Sequence, residues 1–171
     1  MRRNANKGKP LENALDIYHK YLLSRGEADI TARKVETKLV GGKMVYTKKE
    51  GFDYQGTIRG GRSLCVEAKM SKKATLRVDP KNKEGLRLHQ LQALVRNHKL
   101  GALVGVVWMM KPDEVYVVGG TVLEWLLDAF LLGKVKSITA AVVREHGENC
   151  IGTRGLVEYL PQLKDSENTI W

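Results

Sequence analysis

Cysteines and long apolar runs are both scarce in this sequence. Its 171 residues include two cysteines, Cys65 and Cys150, which are too few for a disulfide framework or a zinc cluster. Free thiols fit a reducing compartment. The most apolar window, residues 121–132, is interrupted by Glu124 and Asp128 and is too short to span a bilayer. We therefore expect a cytoplasmic protein that does not enter a membrane.

Acidic residues are outnumbered by basic ones. The chain has 29 Lys and Arg against 19 Asp and Glu, which gives a formal net charge of +10. Such an excess favours polyanionic partners and salt-sensitive association with them. Nucleic acid is the leading candidate. An anionic membrane surface is a weaker one, because no basic amphipathic helix is evident. Residues 1–9 predict a flexible basic arm that leads into no apolar signal segment.

The spacing of apolar residues and glycines predicts one α/β domain over residues 10–171. Glycine pairs in VGGKMVY and RGGR indicate two hairpins, the first within residues 36–51. Residues 71–85 predict a polar, basic loop. Helices are predicted over residues 10–26, 86–99 and 121–132, and strands over residues 28–36, 52–58, 63–70, 102–109 and 114–118. This order predicts a central mixed β-sheet flanked by helices.

The third predicted helix, residues 121–132, is rich in leucine. It begins with a capping-box pattern, in which Thr121 is the N-cap and Glu124 follows three residues later. Its apolar side chains favour a place in the core. If one flank is exposed, that flank can contribute to a dimer instead.

The strand SLCVEAKM, residues 63–70, places two opposite charges side by side. Because successive side chains of a strand point to opposite faces, the apolar face holds Leu64, Val66, Ala68 and Met70, and the other face holds Cys65, Glu67 and Lys69. We expect Cys65 to be a small buried filler. One interpretation of the charged pair is a solvent-facing ion pair, worth about 0–1 kcal/mol. The other interpretation is a metal-dependent active site.

Asp53 on the strand FDYQGTI favours the active-site interpretation. If this strand pairs with SLCVEAKM through the RGGR turn, Asp53 and Glu67 converge on one face. Two close carboxylates repel each other, and a divalent cation between them resolves the conflict. Mg²⁺ prefers oxygen ligands and keeps several waters, so two carboxylates and a backbone carbonyl form a credible site. Lys69 would stand beside the metal ion, where it can orient a water molecule or stabilise negative charge on a phosphate. Phosphodiester hydrolysis requires such groups.

The spacing of these residues resembles a known nuclease signature. Asp53, followed fourteen residues later by Glu67–Ala68–Lys69, is similar to the PD-(D/E)XK motif, with Phe52 in place of the usual proline. FDYQG, VEAK, LHQLQ at residues 88–92, Glu12 and the C-terminal order REHG…GLVEYL resemble the RecU-type Holliday junction resolvases. The resemblance extends from about Pro10 to Leu163. It implies a restriction-endonuclease-like fold.

The resemblance also implies a role for each site residue. Asp53, Glu67 and the carbonyl of Ala68 would bind Mg²⁺, with Mn²⁺ as a substitute, and Lys69 would be the catalytic lysine. Gln90 would order the site from the second helix, and Glu12 would approach it from the first, directly or through water. From the residues alone, Glu12 also suits any first helical turn, and Gln90 also suits a solvated helix face.

Basic side chains near these elements are predicted to contact DNA phosphates, which would position a duplex without reading its sequence. The predicted contacts are Arg33, Lys34, Lys38, Lys43, Lys48, Lys49, Arg59, Arg62, Lys72, Lys73 and Arg77. By resemblance, the partner is a four-way DNA junction. The protein would be a homodimer whose two active sites nick opposing strands, with no small-molecule cofactor.

The chain departs from this family in one segment. The family carries a long projecting stalk between its first strands, whereas the matching segment here, residues 36–51, is short and is predicted to form only a stubby hairpin. The shortening bears on junction selectivity more than on nuclease chemistry. Two alternatives therefore stand beside a junction resolvase. One is a nuclease of the same superfamily that acts on flaps, forks or duplex DNA, and the other is a non-catalytic basic nucleic-acid-binding protein.

Overall fold

The computed structural model describes residues 9–33, 37–46, 51–71, 73–78, 85–152 and 155–168. The helices are α1 (Lys9–Ser24), α2 (Leu88–Lys99), α3 (Gly120–Leu131), α4 (Ala140–His146) and α5 (Tyr159–Asp165), and a short 3-10 helix (Ser166–Asn168) follows α5. The strands are β1 (Ala28–Ala32), β2 (Thr37–Val40), β3 (Lys43–Tyr46), β4 (Tyr54–Ile58), β5 (Arg62–Met70), β6 (Thr75–Arg77), β7 (Leu103–Lys111), β8 (Glu114–Gly119) and β9 (Ser137–Thr139). Within these ranges, no helix is long and apolar enough to cross a membrane.

A five-stranded mixed sheet forms the centre of the fold, with its strands in the order β1-β4-β5-β7-β8. Strands β5 and β7 are parallel, and the other neighbouring pairs are antiparallel. The parallel pair requires a long crossover, which contains β6 and α2. Strands β2 and β3 form a separate hairpin, and β6 pairs with β9. The predicted mixed α/β sheet is confirmed.

The two central strands are buried on both faces. Eight of the nine residues of β7 are buried, as its continuous apolar sequence predicts for a central strand. Helices α1 and α5 cover one face, where Val66 of β5 packs with Leu15. Helices α2, α3 and α4 cover the other face, where Cys65 and Trp108 pack with Leu91. The strand that carries Glu67 and Lys69 therefore has no solvated face along its middle.

Glycines determine two features of the strands that lead to the site. Gly60 and Gly61 join β4 to β5 with φ values of 96° and 85°, which residues with a side chain rarely adopt. Gly56 lies in β4 opposite Ile30 of β1. A Cβ at Gly56 would lie 2.1 Å from the carbonyl oxygen of Asp29, so only glycine allows β1 and β4 to approach this closely.

Several predicted elements differ from the structure. Residues 75–77 lie in the predicted loop but form β6, which pairs with β9. The sequence does not indicate this strand, because its partner lies some 60 residues away and three residues are too few to show a period. Helix α3 has Gly119 as its N-cap, and the Thr121 hydroxyl donates instead to the carbonyl of Glu167, 3.4 Å away. Strand β1 ends at Ala32, and Asp53 immediately precedes β4. The predicted basic arm, apart from Lys9 in α1, lies outside the described residues.

Candidate active site

Glu67 and Lys69 lie on β5, on the face that α2 covers. The Lys69 Nζ is 2.6 Å from the Glu67 Oε1, and the two side chains are 13% and 1% exposed. A surface ion pair would leave both groups in water. The interpretation of this pair as solvent-facing is therefore wrong, and a buried charge pair of this kind needs further polar partners to offset its desolvation.

Asp53 is held against β5 by main-chain hydrogen bonds. Its amide donates to the carbonyl of Val66 (3.1 Å), and its own carbonyl accepts from the amide of Arg33 (2.8 Å). Its carboxylate Oδ2 accepts from the amide of Ala68 (3.0 Å), the residue that follows Glu67. The structure therefore brings Asp53 and Glu67 together, although Asp53 precedes its strand.

The environment of Glu67 favours an uncharged carboxyl group or a nearby cation. Burial raises the pKa of Glu67 to about 7, with a further increase from the Asp53 carboxyl, while the Lys69 ammonium lowers it. The Glu67 Oε2 is buried and accepts no hydrogen bond from the residues that the structure describes. Either a proton or a cation would satisfy this oxygen.

Gln90, in the first turn of α2, connects both charged groups. Its side-chain amide donates to the Glu67 Oε1 (2.5 Å), and its carbonyl oxygen accepts from the Lys69 Nζ and from the amide of Arg87 (both 3.1 Å). The Gln90 side chain is buried. The alternative that Gln90 lies on a solvated helix face is therefore wrong. Gln90 restrains the Lys69 ammonium and the Glu67 carboxylate in one arrangement.

Helix α1 reaches the site through Tyr54, the residue after Asp53. The Tyr54 hydroxyl donates a long hydrogen bond to the main-chain carbonyl of Glu12, 3.4 Å away. Burial raises the pKa of Tyr54, and the charges of Asp16, Glu12 and Asp53 raise it further. Glu12 itself is exposed. Neither Asp16 nor Tyr54 is among the residues predicted to form the site, although Asp16 follows Glu12 at the four-residue spacing that shares a helix face.

The residues of the site fit a magnesium ion. Within the described ranges, no group of three or more His, Cys, Asp or Glu side chains could hold a metal. Asp53 and Glu67 nevertheless offer two carboxylates with a buried oxygen that lacks a partner. Carboxylate and carbonyl oxygens with several waters are the ligands that Mg²⁺ prefers. Asp53, Glu67 and the carbonyl of Ala68 are therefore the residues that could hold it.

The predicted DNA-contacting residues whose side chains the structure describes lie near the two ends of β5. The guanidinium carbon of Arg33 lies 4.9 Å from the centre of the Phe52 ring, beside Asp53. Lys73 and Arg77 are exposed on the segment that follows β5. Arg59 and Arg62 lie at the opposite end and have internal hydrogen bonds. The other predicted contacts lie outside the residues that the structure describes: these are Lys34, Lys48, Lys49 and Lys72, and the side chains of Lys38 and Lys43.

Comparison with known proteins identifies the family. The model of the family "Recombination protein U" matches residues 6–165. This chain belongs to the Recombination protein U family. The match includes Asp53, Glu67, Lys69 and Gln90, so the family assignment covers the whole buried site. None of the curated proteins matches the chain.

A solved structure shares the fold of this Recombination protein U family member. It is Archaeoglobus fulgidus Hjc, which its description calls a Holliday junction resolvase from an archaeal hyperthermophile. The two chains are 15% identical, the TM-score is 0.51, and the similarity covers 84% of this chain and 92% of Hjc. The predicted restriction-endonuclease-like fold is confirmed by this likeness.

Proposed function

We propose that this protein is a divalent-metal-dependent endonuclease that resolves four-way (Holliday) junctions by paired nicks. The observation that carries the proposal is the buried arrangement of Asp53, Glu67, Lys69 and Gln90 in a chain of the Recombination protein U family. The net charge of +10 favours a polyanionic substrate. Both cysteines are free and buried, and we place the activity in the reducing cytoplasm.

The roles of the site residues follow from their contacts. Asp53, Glu67 and the carbonyl of Ala68 would hold Mg²⁺, for which Mn²⁺ can substitute. When bound, the metal supplies polarisation of the scissile phosphate and of a water molecule. The Lys69 ammonium, 13% exposed, would donate to the attacking water or to a phosphate oxygen. In a site of low dielectric constant, such a fixed cation stabilises developing negative charge more strongly than it would in water.

Gln90 prepares Lys69 and Glu67 for this chemistry. Its amide group donates to the carboxylate and accepts from the ammonium, so neither group needs to reorient when DNA arrives. The carbonyl oxygen of Gln90 is itself oriented by the amide of Arg87. We therefore propose Gln90 as a residue that orients the catalytic lysine.

The DNA would approach the end of β5 that carries the site. We propose that Arg33, Lys73 and Arg77 contact phosphates there, because Arg33 adjoins Asp53 and the other two follow β5. The Arg59 guanidinium donates to the carbonyls of Gly26 and Arg25. Arg62 donates to the Glu167 carboxylate at the same end of β5, away from the site. For Arg59 and Arg62 we propose a structural role instead of a DNA contact.

Paired nicks on opposing strands require two active sites, and one chain supplies one. We therefore propose a homodimer. Helix α3 and its C-cap expose three large apolar side chains, since Trp125, Leu131 and the C-cap Leu132 are 55%, 63% and 68% exposed. This exposure meets the condition under which the leucine-rich helix was expected to contribute to a dimer. Sedimentation analysis of the wild type and of Trp125→Lys measures whether the flank is involved.

A cleavage assay with Mg²⁺ tests the proposed function. It compares a four-way junction, a fork and a linear duplex, with the wild type, Glu67→Gln and the matched control Glu167→Gln, which changes a carboxylate far from the site. We expect paired nicks on the junction from the wild type and the control, and none from Glu67→Gln or in EDTA.

The other outcomes of the assay distinguish the alternatives. Equal cutting of all three DNAs would retain the catalytic site and replace the junction resolvase with a less selective nuclease. Binding of junctions without metal-dependent cutting would indicate a non-catalytic DNA-binding protein. A difference in cleavage between the control and the wild type would reveal a folding effect.

A further inference from the structure

The main-chain amide of Arg87, at the N-cap of α2, lies one residue contact away from the buried charged pair. We propose that this amide is a positioning group, which fixes the Gln90 side chain and through it decides which atoms of Lys69 and Glu67 are left for the reaction. The inference rests on the proposed function. It adds to the site a main-chain group that contacts neither of the two charged side chains itself.

Three neighbours determine which way the Gln90 side-chain amide points. The amide of Arg87 and the ammonium of Lys69 can only donate hydrogen bonds. Both lie 3.1 Å from the same atom of Gln90, which must therefore be its oxygen. The nitrogen then faces the Glu67 Oε1, 2.5 Å away, and donates to it. The opposite orientation would place the NH₂ group against two donors and the carbonyl oxygen against a carboxylate.

Only the Arg87 contact stays the same throughout the proposed reaction. Lys69 must turn toward a water or a phosphate oxygen, and Glu67 must turn toward a metal ion. A main-chain N–H neither titrates nor rotates, because the peptide bond is planar and the adjoining chain holds it. The Arg87 amide therefore keeps the Gln90 oxygen in place while the other two contacts change.

The resulting network leaves one donor and one acceptor without a partner among the residues that the structure describes. The Lys69 ammonium has three protons, and the Oε1 atoms of Glu67 and Gln90 lie 2.6 Å and 3.1 Å from its nitrogen. The Glu67 Oε1 is thus occupied by Lys69 and Gln90, whereas its Oε2 is buried and unpaired. The third proton of Lys69 and the Oε2 of Glu67 are the atoms available to the water, the phosphate and the metal ion.

The Arg87 amide is held from both sides of the chain. The preceding residue, Leu86, is completely buried, and its amide donates to the carbonyl of Arg77 on β6, 2.9 Å away. Gly85 lies against the same carbonyl, where a Cβ would be 2.3 Å from the oxygen. On the other side, the carbonyl of Arg87 accepts from the main-chain amide of Gln90 at 3.0 Å. Strand β6 therefore serves the site through this short segment.

A proline substitution tests the role of this one N–H. Arg87→Pro removes the amide hydrogen, and the φ of Arg87, −73°, is a value that proline adopts. The matched control is Arg87→Ala, which removes the same guanidinium but keeps the N–H. Any phosphate contact of the guanidinium is therefore lost in both variants, and their affinities for junctions in EDTA should be equal.

Mn²⁺ binding and cleavage are compared between the two variants. Calorimetry measures Mn²⁺ binding to the DNA-free protein, and single-turnover assays measure junction cleavage at saturating Mg²⁺. We expect Arg87→Pro to bind Mn²⁺ about tenfold more weakly than Arg87→Ala and to cleave about tenfold more slowly, as for groups that orient metal ligands. In NMR spectra of the metal-free protein, the side-chain amide signal of Gln90 should differ between the variants. Equal Mn²⁺ affinity and equal cleavage in the two variants would overturn the inference.

The same comparison in a Gln90→Ala background shows whether Arg87 acts through Gln90. If it does, Arg87→Pro and Arg87→Ala give equal Mn²⁺ affinities and cleavage rates there. A difference that persists without the Gln90 side chain would overturn the inference, because a proline that merely disturbs α2 would act in both backgrounds. If the wild type does not cut junctions, the proposed function is contradicted, while the Mn²⁺ affinities still test the positioning role.

Discussion

The two ends of β5 each carry an ion pair, and the pairs differ in almost every respect. At the first end, the two terminal guanidinium nitrogens of Arg62, Nη1 and Nη2, donate to the Glu167 carboxylate, and its Nε donates to the carbonyl of Gly101 at 2.8 Å. These side chains are 38% and 25% exposed. At the other end, Lys69 and Glu67 are 13% and 1% exposed.

The difference between the ends lies in how completely the charges are satisfied. Both carboxylate oxygens of Glu167 accept hydrogen bonds from Arg62, and the pair links the 3-10 helix (Ser166–Asn168) to the first residue of β5. At the buried end, the Glu67 Oε2 has no partner among the described residues, and the Asp53 carboxyl adds a like charge. Buried charges that are incompletely paired destabilise a fold. Their presence on the central strand β5 therefore supports the proposed catalytic role, whereas the Arg62 pair is fully satisfied as a structural contact.

The largest expected effect concerns the lysine of the buried end. Lys69→Met removes the ammonium but keeps a side chain of similar length, and we expect junction cleavage to fall about 10³-fold, within the range for a catalytic proton-transfer group. The measurement is the single-turnover cleavage rate. Lys99→Met is the control, because it removes an exposed ammonium of α2 that pairs with Glu124 of α3. A loss smaller than tenfold would mean that Lys69 does not take part in the chemistry.

A smaller loss is expected when the lysine stays but its support is removed. Gln90→Ala leaves Glu67 and Lys69 in place and deletes the amide that contacts both. We expect cleavage to fall about 10–100-fold, as for other residues that orient a site. This loss is measured as the change in the cleavage rate at saturating Mg²⁺. Gln92→Ala, on the same helix, is the control. Equal loss in the control would show that the effect arises from α2 as a whole.

The burial of Glu67 predicts a dependence of stability on pH in the absence of metal. Its pKa is about 7 in the folded protein against an ordinary value of 4.5, so the stability that this shift provides is complete below pH 4.5 and is lost as the pH rises through 7. Between pH 5 and pH 7 we expect the wild type to lose about 2 kcal/mol relative to Glu67→Gln. Urea unfolding of both proteins in EDTA measures this difference. Parallel pH profiles would contradict the burial argument.

The smallest expected effect is at the exposed end. Arg62→Ala should lower the free energy of unfolding by about 1 kcal/mol, because an ion pair that is partly in water contributes little. Junction cleavage by the folded protein should stay within about twofold of the wild type, since Arg62 lies at the end of β5 away from the site. Urea unfolding and the cleavage rate are the two measurements. A large loss of junction binding would restore Arg62 to the DNA-contacting set.

Local patterns in the sequence predicted much of the fold. The alternation in SLCVEAKM identified the face shared by Cys65, Glu67 and Lys69, because side-chain direction in a strand depends only on position. Glycine pairs identified the hairpins, since both glycines of each pair adopt positive φ. The RGGR turn signal between FDYQGTI and SLCVEAKM predicted that Asp53 and Glu67 converge if the two strands pair, and the pairing of β4 with β5 meets that condition.

Long-range packing decided what these patterns could not. Whether Glu67 and Lys69 face water depends on α2, which follows them by some 20 residues and covers their face of the sheet. Whether Arg62 contacts DNA or the protein depends on Glu167, more than 100 residues later. The pairing of β6 with β9 and the hydrogen bond of the Tyr54 hydroxyl with the carbonyl of Glu12 also depend on segments that are distant in the sequence. Sequence periodicity determines which side chains share a face, whereas burial, and with it the pKa and reactivity of those side chains, depends on the distant segment that packs there.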